Sequence, residues 1–239
     1  LVLVVGGILG GIFTPAEELP FAGHPTLGTA HVVRARTKSG DAVTLEMSAG
    51  IIPVEARGDT WTLQANPPRI RAVAATRAEL AAMLVLAEAD VAPDGGAPPL
   101  WVDTGSEQLV IPLASADAIY RAAPRADLLL AHGHTGQRAM AYVFAPATQA
   151  PAAAGERAMV ARFFFPKHGA VVEDPGTGSA CANLGGWLIA TGASLPQRMT
   201  IAQGDAVGRP CRLGLEVTAD RRIRVSGRVV ELACGTVTL

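Results

Sequence analysis

The stretch Val172–Trp187, VEDPGTGSACANLGGW, holds an acidic pair, a tight turn and the start of a helix. Glu173 and Asp174 precede Pro175-Gly176-Thr177-Gly178, a composition that turns a chain sharply. From Ser179 the residues stay small and apolar to Ala190, with Asn183 the polar exception. A helix that is apolar all round is a buried one, so an interior helix is expected over Cys181–Ala190. Gly185 and Gly186 weaken it intrinsically, which fits walls too close for side chains. A Gly/Pro/Thr turn feeding a helix aims unpaired backbone N–H groups at whatever lies before it, a natural seat for an anion. Carboxylates beside that seat suggest acid–base work on an anionic substrate.

The pattern occurs a second time. Phe21–Val33, FAGHPTLGTAHVV, again runs from a turn (Gly23, His24, Pro25, Thr26) into small apolar residues. Pro is favourable just inside a helix start, where its missing N–H has no intrahelical partner anyway. Two turn-to-buried-helix units are therefore expected. If their N-termini face each other, they enclose a cleft with a positive field from both sides.

The bulk properties narrow the classes. A chain of 239 residues makes one large domain or two small ones. Hydrophobic residues make up 49% and aromatics only 5%, so the core is built from Ala, Val, Leu and Ile. A net charge of −1 argues against nucleic acid or an anionic membrane as the main partner. The three cysteines, Cys181, Cys211 and Cys234, show neither CxxC nor metal-ligand spacing, so a reducing compartment, the cytoplasm, is expected. Leu1–Phe13, LVLVVGGILGGIF, is too short to span a bilayer and lacks a signal peptide's basic flank and cleavage pattern. Leu1–Val5 reads as a buried strand. GGILGG lacks the GxGxxG spacing of a dinucleotide loop, and Phe13-Thr14-Pro15 follows where its helix should begin. The first residue is not Met, so the chain is expected to begin inside a longer protein or to be a piece of one.

Alternating residues predict a meander of strands at Ala42–Met47, Ile51–Ala56 and Thr60–Gln64. Thr76-Arg77-Ala78-Glu79 is a capping box opening a helix to about Ala89. Strands are expected at Leu100–Val102 and Gln108–Leu113, then a short helix Ala116–Ala122 capped by Ser115. Further strands are expected at Asp127–Leu130, Met140–Ala145 and Met159–Phe165, with 146–155 as a loop. After the central helix come strands at Met199–Ala202, Leu213–Val217, Ile223–Val225 and Val229–Ala233. Regular βαβ alternation is lacking, so the fold class is α+β with antiparallel or mixed sheets.

Four motifs, FTPAEELPFAGHPTLGTA (Phe13–Ala30), TGSEQLVIPL (Thr104–Leu113), EDPGTGSACANLGGWL (Glu173–Leu188) and QGDAVGRP (Gln203–Pro210), together resemble the phenazine-biosynthesis PhzF-like family of the diaminopimelate epimerase-like superfamily. The resemblance spans nearly the whole chain. It implies two pseudo-symmetric domains, each a sheet curled around a central helix, here residues 1–123 and 124–228, with the first domain completed by a last strand at 229–239. It also implies a cofactor-free, metal-free isomerase or epimerase that is usually a homodimer and moves a proton on a small carboxylate. Carried over by residue, His24 matches a substrate-contacting histidine and Gly23 the neighbouring backbone donor. Thr26 belongs to the same substrate-binding turn. Asp174 matches the family's substrate-binding aspartate, Gly178 and Ser179 a second anion cradle, and Glu18 the acidic position after FTP.

The family's main acid–base group is a glutamate in a Ser-Glu-Thr motif ahead of FTP, and that motif is not in this sequence. By position it falls just before Leu1, together with initial strands and a helix totalling on the order of 50 residues at usual element lengths. Gly11-Ile12 also stands where an Arg usually precedes FTP. Either the chain continues upstream or the usual proton shuttle has been lost. In the first case His24 and Asp174 flank the substrate of an isomerase. In the second the cleft belongs to a catalytically silent carboxylate-binding or scaffold protein. Asp174 as a mere helix cap is the plain alternative to its catalytic role. Cys181, past the helix start with no thiol partner in the first unit, reads as core. His132 and His134 lack a third ligand nearby and read as a loop. Ser179 is no nucleophile elbow, since Thr177 and Cys181 stand where glycines would be needed. Glu107 either lines the cleft or is a strand-edge charge.

Overall fold

The computed structural model describes residues 21–136, 138–147 and 156–231, so the expected strand Leu1–Val5 and Glu18 lie outside the described residues. Helix α1 (Gly23–Thr37) leads into the expected meander, β1 (Ala42–Met47), β2 (Gly50–Arg57) and β3 (Thr60–Gln64). Alternate residues of β2 and β3 are buried, as period-two patterning requires. An edge strand, β4 (Arg69–Ala72), follows; its four exposed residues carry no alternation that would mark it.

Helix α2 (Arg77–Leu84) starts as expected: the Glu79 amide donates to Thr76 Oγ1 (3.2 Å), and the Thr76 amide donates to the Glu79 carboxylate (2.7 Å). It ends five residues early. Val85 turns left-handed, Leu86 N–H closes on the Ala81 carbonyl (2.9 Å), and a 3₁₀ turn takes Glu88–Asp90. Strands β5 (Leu100–Asp103) and β6 (Glu107–Pro112) lead to α3 (Ala116–Arg121), whose cap is Ser115 Oγ accepting from the Ala118 amide.

The expected strand at Asp127–Leu130 is instead helix α4 (Ala126–His132), with Leu129 alone buried. Four residues cannot separate period 2 from period 3.6, and Asp127 in the first turn favours the helix. After β7 (Ala141–Pro146) come β8 (Arg157–Lys167), a β9 the sequence did not mark (Ala170–Asp174) and α5 (Gly178–Ala190). Strands β10 (Gln197–Gln203), β11 (Cys211–Val217) and β12 (Ile223–Arg228) complete the set. Residues 229–231 are not in a strand, and the rest of the expected last one lies outside the described residues.

Among the described residues the strands make one 12-stranded mixed sheet, ordered β1-β2-β3-β12-β11-β10-β8-β7-β6-β5-β4, with β9 paired to β8. Only β6–β7 and β8–β10 are parallel. The fold is α+β. The β6–β7 pairing runs across position 123/124, where a domain boundary was expected. Helix α5 touches β4, β5 and β6 from one end of the strand order and β11 and β12 from further along it, so the sheet wraps around this helix. The other face of β5–β8 is covered by α2, α3 and α4 in a second apolar cluster.

Burial of α5 is as the sequence reading required: every residue from Gly178 to Leu188 is inside. A Cβ on Gly185 would lie 2.8 Å from Ile223, and one on Gly186 2.7 Å from Val102. Helix α1 departs from expectation. It buries only Gly23, Thr26, Leu27 and Ala30, because its charged residues and Val32 face outward.

Candidate active site

Both helices begin without a side-chain cap. At α1 the capping position is Ala22, which has no polar side chain to offer. At α5 it is Thr177, a residue that ordinarily caps. Its hydroxyl instead donates to the Asp174 carboxylate (2.5 Å) and accepts from Gln203 Nε2 (3.0 Å). First-turn amides of Gly23, His24, Gly178 and Ser179 are left for a partner outside the helices. Pro25 contributes none.

The two starts touch. A Cβ on Gly23 would stand 2.5 Å from Gly178 Cα, and one on Gly178 would stand 2.9 Å from Gly23 Cα. Glycine is required at both positions because backbone packs on backbone. His24 Nδ1 lies 3.2 Å from the Gly176 carbonyl, tying the first turn to the second.

In front of the pair is a hollow of about 420 Å³, lined by Gly23, His24, Thr177, Gly178 and Ser179 at its floor. Phe21, Leu130, Met140, Phe163 and Phe165 form an apolar wall, with Gln108, His134 and Arg138 as further polar groups. Such a lining suits a ligand with an apolar body and a few fixed polar contacts. A larger hollow of about 700 Å³ adjoins it through Ser106, Arg138 and Met140. Glu107 lines that neighbour, paired with Arg71 (3.0 Å).

The structure thus brings together His24, Gly23, Gly178 and Ser179. Thr26 sits one turn behind, its hydroxyl donated to the Ala22 carbonyl (2.6 Å), and does not line the hollow. Asp174 is also set back, occupied with Thr177. Of the expected flanking pair, His24 lines the hollow, while the Asp174 carboxylate bonds to Thr177 in the turn behind it. Cys181 is fully buried, and burial pushes its thiol up to about 12. His132 ends α4, while His134 Nδ1 accepts from the Gly136 amide (2.9 Å). Among the described residues, no three His, Cys, Asp or Glu side chains form a group able to hold a metal.

Sequence reasoning missed the supports of this site. The buried polar residues among those described are Thr26, Thr104, Gln108, Thr177, Ser179, Asn183 and Gln203. All belong to the two helix starts or to the network behind them. Buried polar groups are costly unless bonded, so their confinement to one place marks it. Gln203 holds the EDPGT turn by three bonds, to Asp174 O (2.8 Å), Thr177 Oγ1 (3.0 Å) and the Thr177 amide (3.3 Å). Arg162 and Glu173, with side chains 14% and 5% exposed, form a buried pair (2.7 Å) under the strand that enters the turn. The signal lay in TGSEQ and QGD, where Gln108 follows Glu107 and Gln203 precedes Gly204-Asp205, so that each looks like surface.

Comparison with known proteins decides the family. A model for phenazine biosynthesis-like proteins, PhzC-PhzF, matches residues 11–235. This chain belongs to the PhzC-PhzF family. It is 37% identical to an uncharacterized isomerase of Pasteurella multocida, over 94% of this chain and 72% of that one. It is 33% identical to the trans-2,3-dihydro-3-hydroxyanthranilate isomerase of Pseudomonas chlororaphis, over 98% and 80%. Its fold matches a PhzF-family protein of Bacillus anthracis with a TM-score of 0.73 at 22% identity, covering 90% of this chain and 75% of that one. A predicted epimerase of Pseudomonas aeruginosa matches with 0.70 at 28% identity, covering 95% and 78%. As a member of this family the chain is related to isomerases. Among its described residues, no helix is long and apolar enough to cross a membrane.

Proposed function

We propose that this chain is a cofactor-independent isomerase that shifts a proton on a small carboxylate held between the first turns of α1 and α5. The observation that carries this reading is the pair of uncapped helix starts meeting nose to nose over one hollow. Taking a proton from carbon next to a carboxylate, or from an allylic carbon, builds negative charge. Preorganised amides aimed at one point are suited to hold it. In this proposal Gly23, Gly178 and Ser179 cradle the anion. His24, at the edge of both turns, takes up and returns the proton. Thr26 shapes its turn from within, and Asp174 keeps Thr177 from capping α5. Glu18, outside the described residues, is assigned to the substrate side by family resemblance. A homodimer in the cytoplasm is the setting that goes with this reading.

The test is proton exchange in heavy water, followed by NMR on trans-2,3-dihydro-3-hydroxyanthranilate, the substrate named for the Pseudomonas relatives. Deuterium should enter the substrate, and His24→Asn should slow entry by about 100-fold or more, the usual scale for a lost acid–base group. Asp174→Asn should act more weakly. Exchange undiminished in His24→Asn would remove His24 from the mechanism. A second reading, a silent carboxylate binder, is favoured by one feature: among the described residues, no Asp or Glu lines the hollow. Binding without any exchange would select it.

A further inference from the structure

Behind Ser179 runs a chain of buried side-chain amides whose direction is fixed by the backbone at its far end. The Thr104 amide can only donate, and it donates to Asn183 Oδ1 (2.9 Å), as does the Thr104 hydroxyl (2.7 Å). The Ser106 carbonyl can only accept, and it accepts from Asn183 Nδ2 (2.9 Å). Asn183 is therefore held in one orientation. Its Nδ2 also donates to Gln108 Oε1 (2.8 Å), which forces Gln108 to present Nε2 to Ser179 Oγ (3.0 Å). With the Ser179 oxygen already accepting, its O–H must donate elsewhere. Among the described residues no acceptor for that hydrogen is present, and Ser179 lines the hollow.

We infer that Gln108 and Asn183 are positioning residues: they form a directional relay that commits Ser179 to donate its hydroxyl hydrogen to the bound ligand. This inference rests on the proposed carboxylate-binding reading and extends it. The cradle's selectivity for an acceptor group is set from behind, by a backbone amide and a carbonyl on the β5–β6 turn. Were Gln108 reversed, its oxygen would take the Ser179 hydrogen; in the observed direction that hydrogen is left for an acceptor on the ligand. Asn183 is the one polar residue of the buried helix core after Ser179, and the relay is the reason for its place there.

Two measurements on the full chain test this. Neutron diffraction of exchanged crystals should show deuterium on Ser179 Oγ directed into the hollow and Gln108 Nε2 facing Oγ. Finding Gln108 Oε1 there instead would overturn the relay, whatever ligand is used. The second is calorimetric binding of anthranilate to wild type, Ser179→Ala, Gln108→Glu and the double variant. The ionised carboxylate introduced by Gln108→Glu accepts at both oxygens, so it draws the Ser179 hydrogen inward. Each single variant should weaken binding by about 10- to 100-fold, the scale of a hydrogen bond to a charged group. The double variant should be no worse than the weaker single. Wild-type affinity in Gln108→Glu, or fully additive losses, would overturn the relay. A wild type that binds no anthranilate would overturn the carboxylate reading instead, while the neutron map still decides the relay's direction.

Discussion

Helix α5 is buried from Gly178 to Leu188, held by strands from both reaches of the sheet and by side-chain networks through Asn183 and Gln203. Helix α1 buries four residues, Gly23, Thr26, Leu27 and Ala30, and rests on β1, β3 and β12. Its outer holds are surface ones: Arg34 pairs with Asp41 (2.6 Å), and its guanidinium lies over the Trp61 ring (5.6 Å). Both nevertheless bring uncapped first turns to the same point. The chemistry of a helix start is thus independent of how the helix is supported. One wall of the hollow is a fixed reference built into the core, and the other is placed against it.

The contrast is most exposed at the support of the α5 wall. Arg162 donates through Nε and Nη2 to Glu173 Oε2 and through Nη1 to the carbonyls of Ile119, Tyr120 and Ala122 at the end of α3. Removing one partner of a buried pair strands the other. Arg162→Met should therefore cost about 3–5 kcal/mol, measured by chemical denaturation. A loss below about 1 kcal/mol, the scale of an exposed pair, would show that the turn before α5 is not anchored this way.

Next in size is the contact itself. A methyl at Gly23 or Gly178 must push the two backbones apart, and overpacking of this kind costs about 1–3 kcal/mol. If α5 is the fixed wall, α1 moves in both variants. Gly23→Ala and Gly178→Ala should then cost about the same, and the double variant less than their sum, because one displacement accommodates both methyls. Additive costs in a double-mutant cycle would mean that each helix yields separately.

The sequence carried the fixed wall more fully than the placed one. A small apolar run broken only by Asn183 and carrying paired glycines reads as interior, so the burial of α5 and the closeness of its walls were legible. The two turns were legible because Gly, Pro and Thr constrain the backbone locally. The partial exposure of α1 was not, since small residues such as Gly28 and Ala35 suit either face. Nor was the retreat of Asp174 from the hollow, which depends on Thr177 and on Gln203, 29 positions away. Long-range hydrogen-bond partners leave no periodic trace in a sequence. Helix α4 and strands β4 and β9 are too short for a period to emerge.

A pH effect should separate the walls again. Burial alone raises the Cys181 thiol from an ordinary value near 9.0 to about 12. Below the ordinary value the thiol is protonated in both folded and unfolded chains and pH has no leverage through it. Above it the unfolded chain loses the proton and the folded one keeps it, so stability falls as pH rises from about 9 towards 12, by up to about 1.4 kcal/mol per unit. Buried Tyr142, also pushed up by burial and by Cys181, adds to the same loss. Cys181→Ala should flatten part of this alkaline slope in denaturation curves between about pH 8 and 11, on the order of one proton's worth. An unchanged slope would mean that the thiol is not sealed inside α5.

The smallest effect belongs to α1. The Arg34–Asp41 pair is short at 2.6 Å, yet its side chains are 35% and 69% exposed. Water screens such a pair, and ordering two long side chains offsets much of the attraction, so exposed pairs contribute about 0–1 kcal/mol. Asp41→Ala is the cleaner variant, because Arg34 keeps its place over Trp61. It should cost less than about 1 kcal/mol and lose even that at high salt, where screening shortens to a few ångströms. The buried Arg162–Glu173 pair should respond far less to salt for the same reason. If Asp41→Ala instead cost as much as Arg162→Met, α1 would be as firmly built in as α5, and the hollow would have two fixed walls.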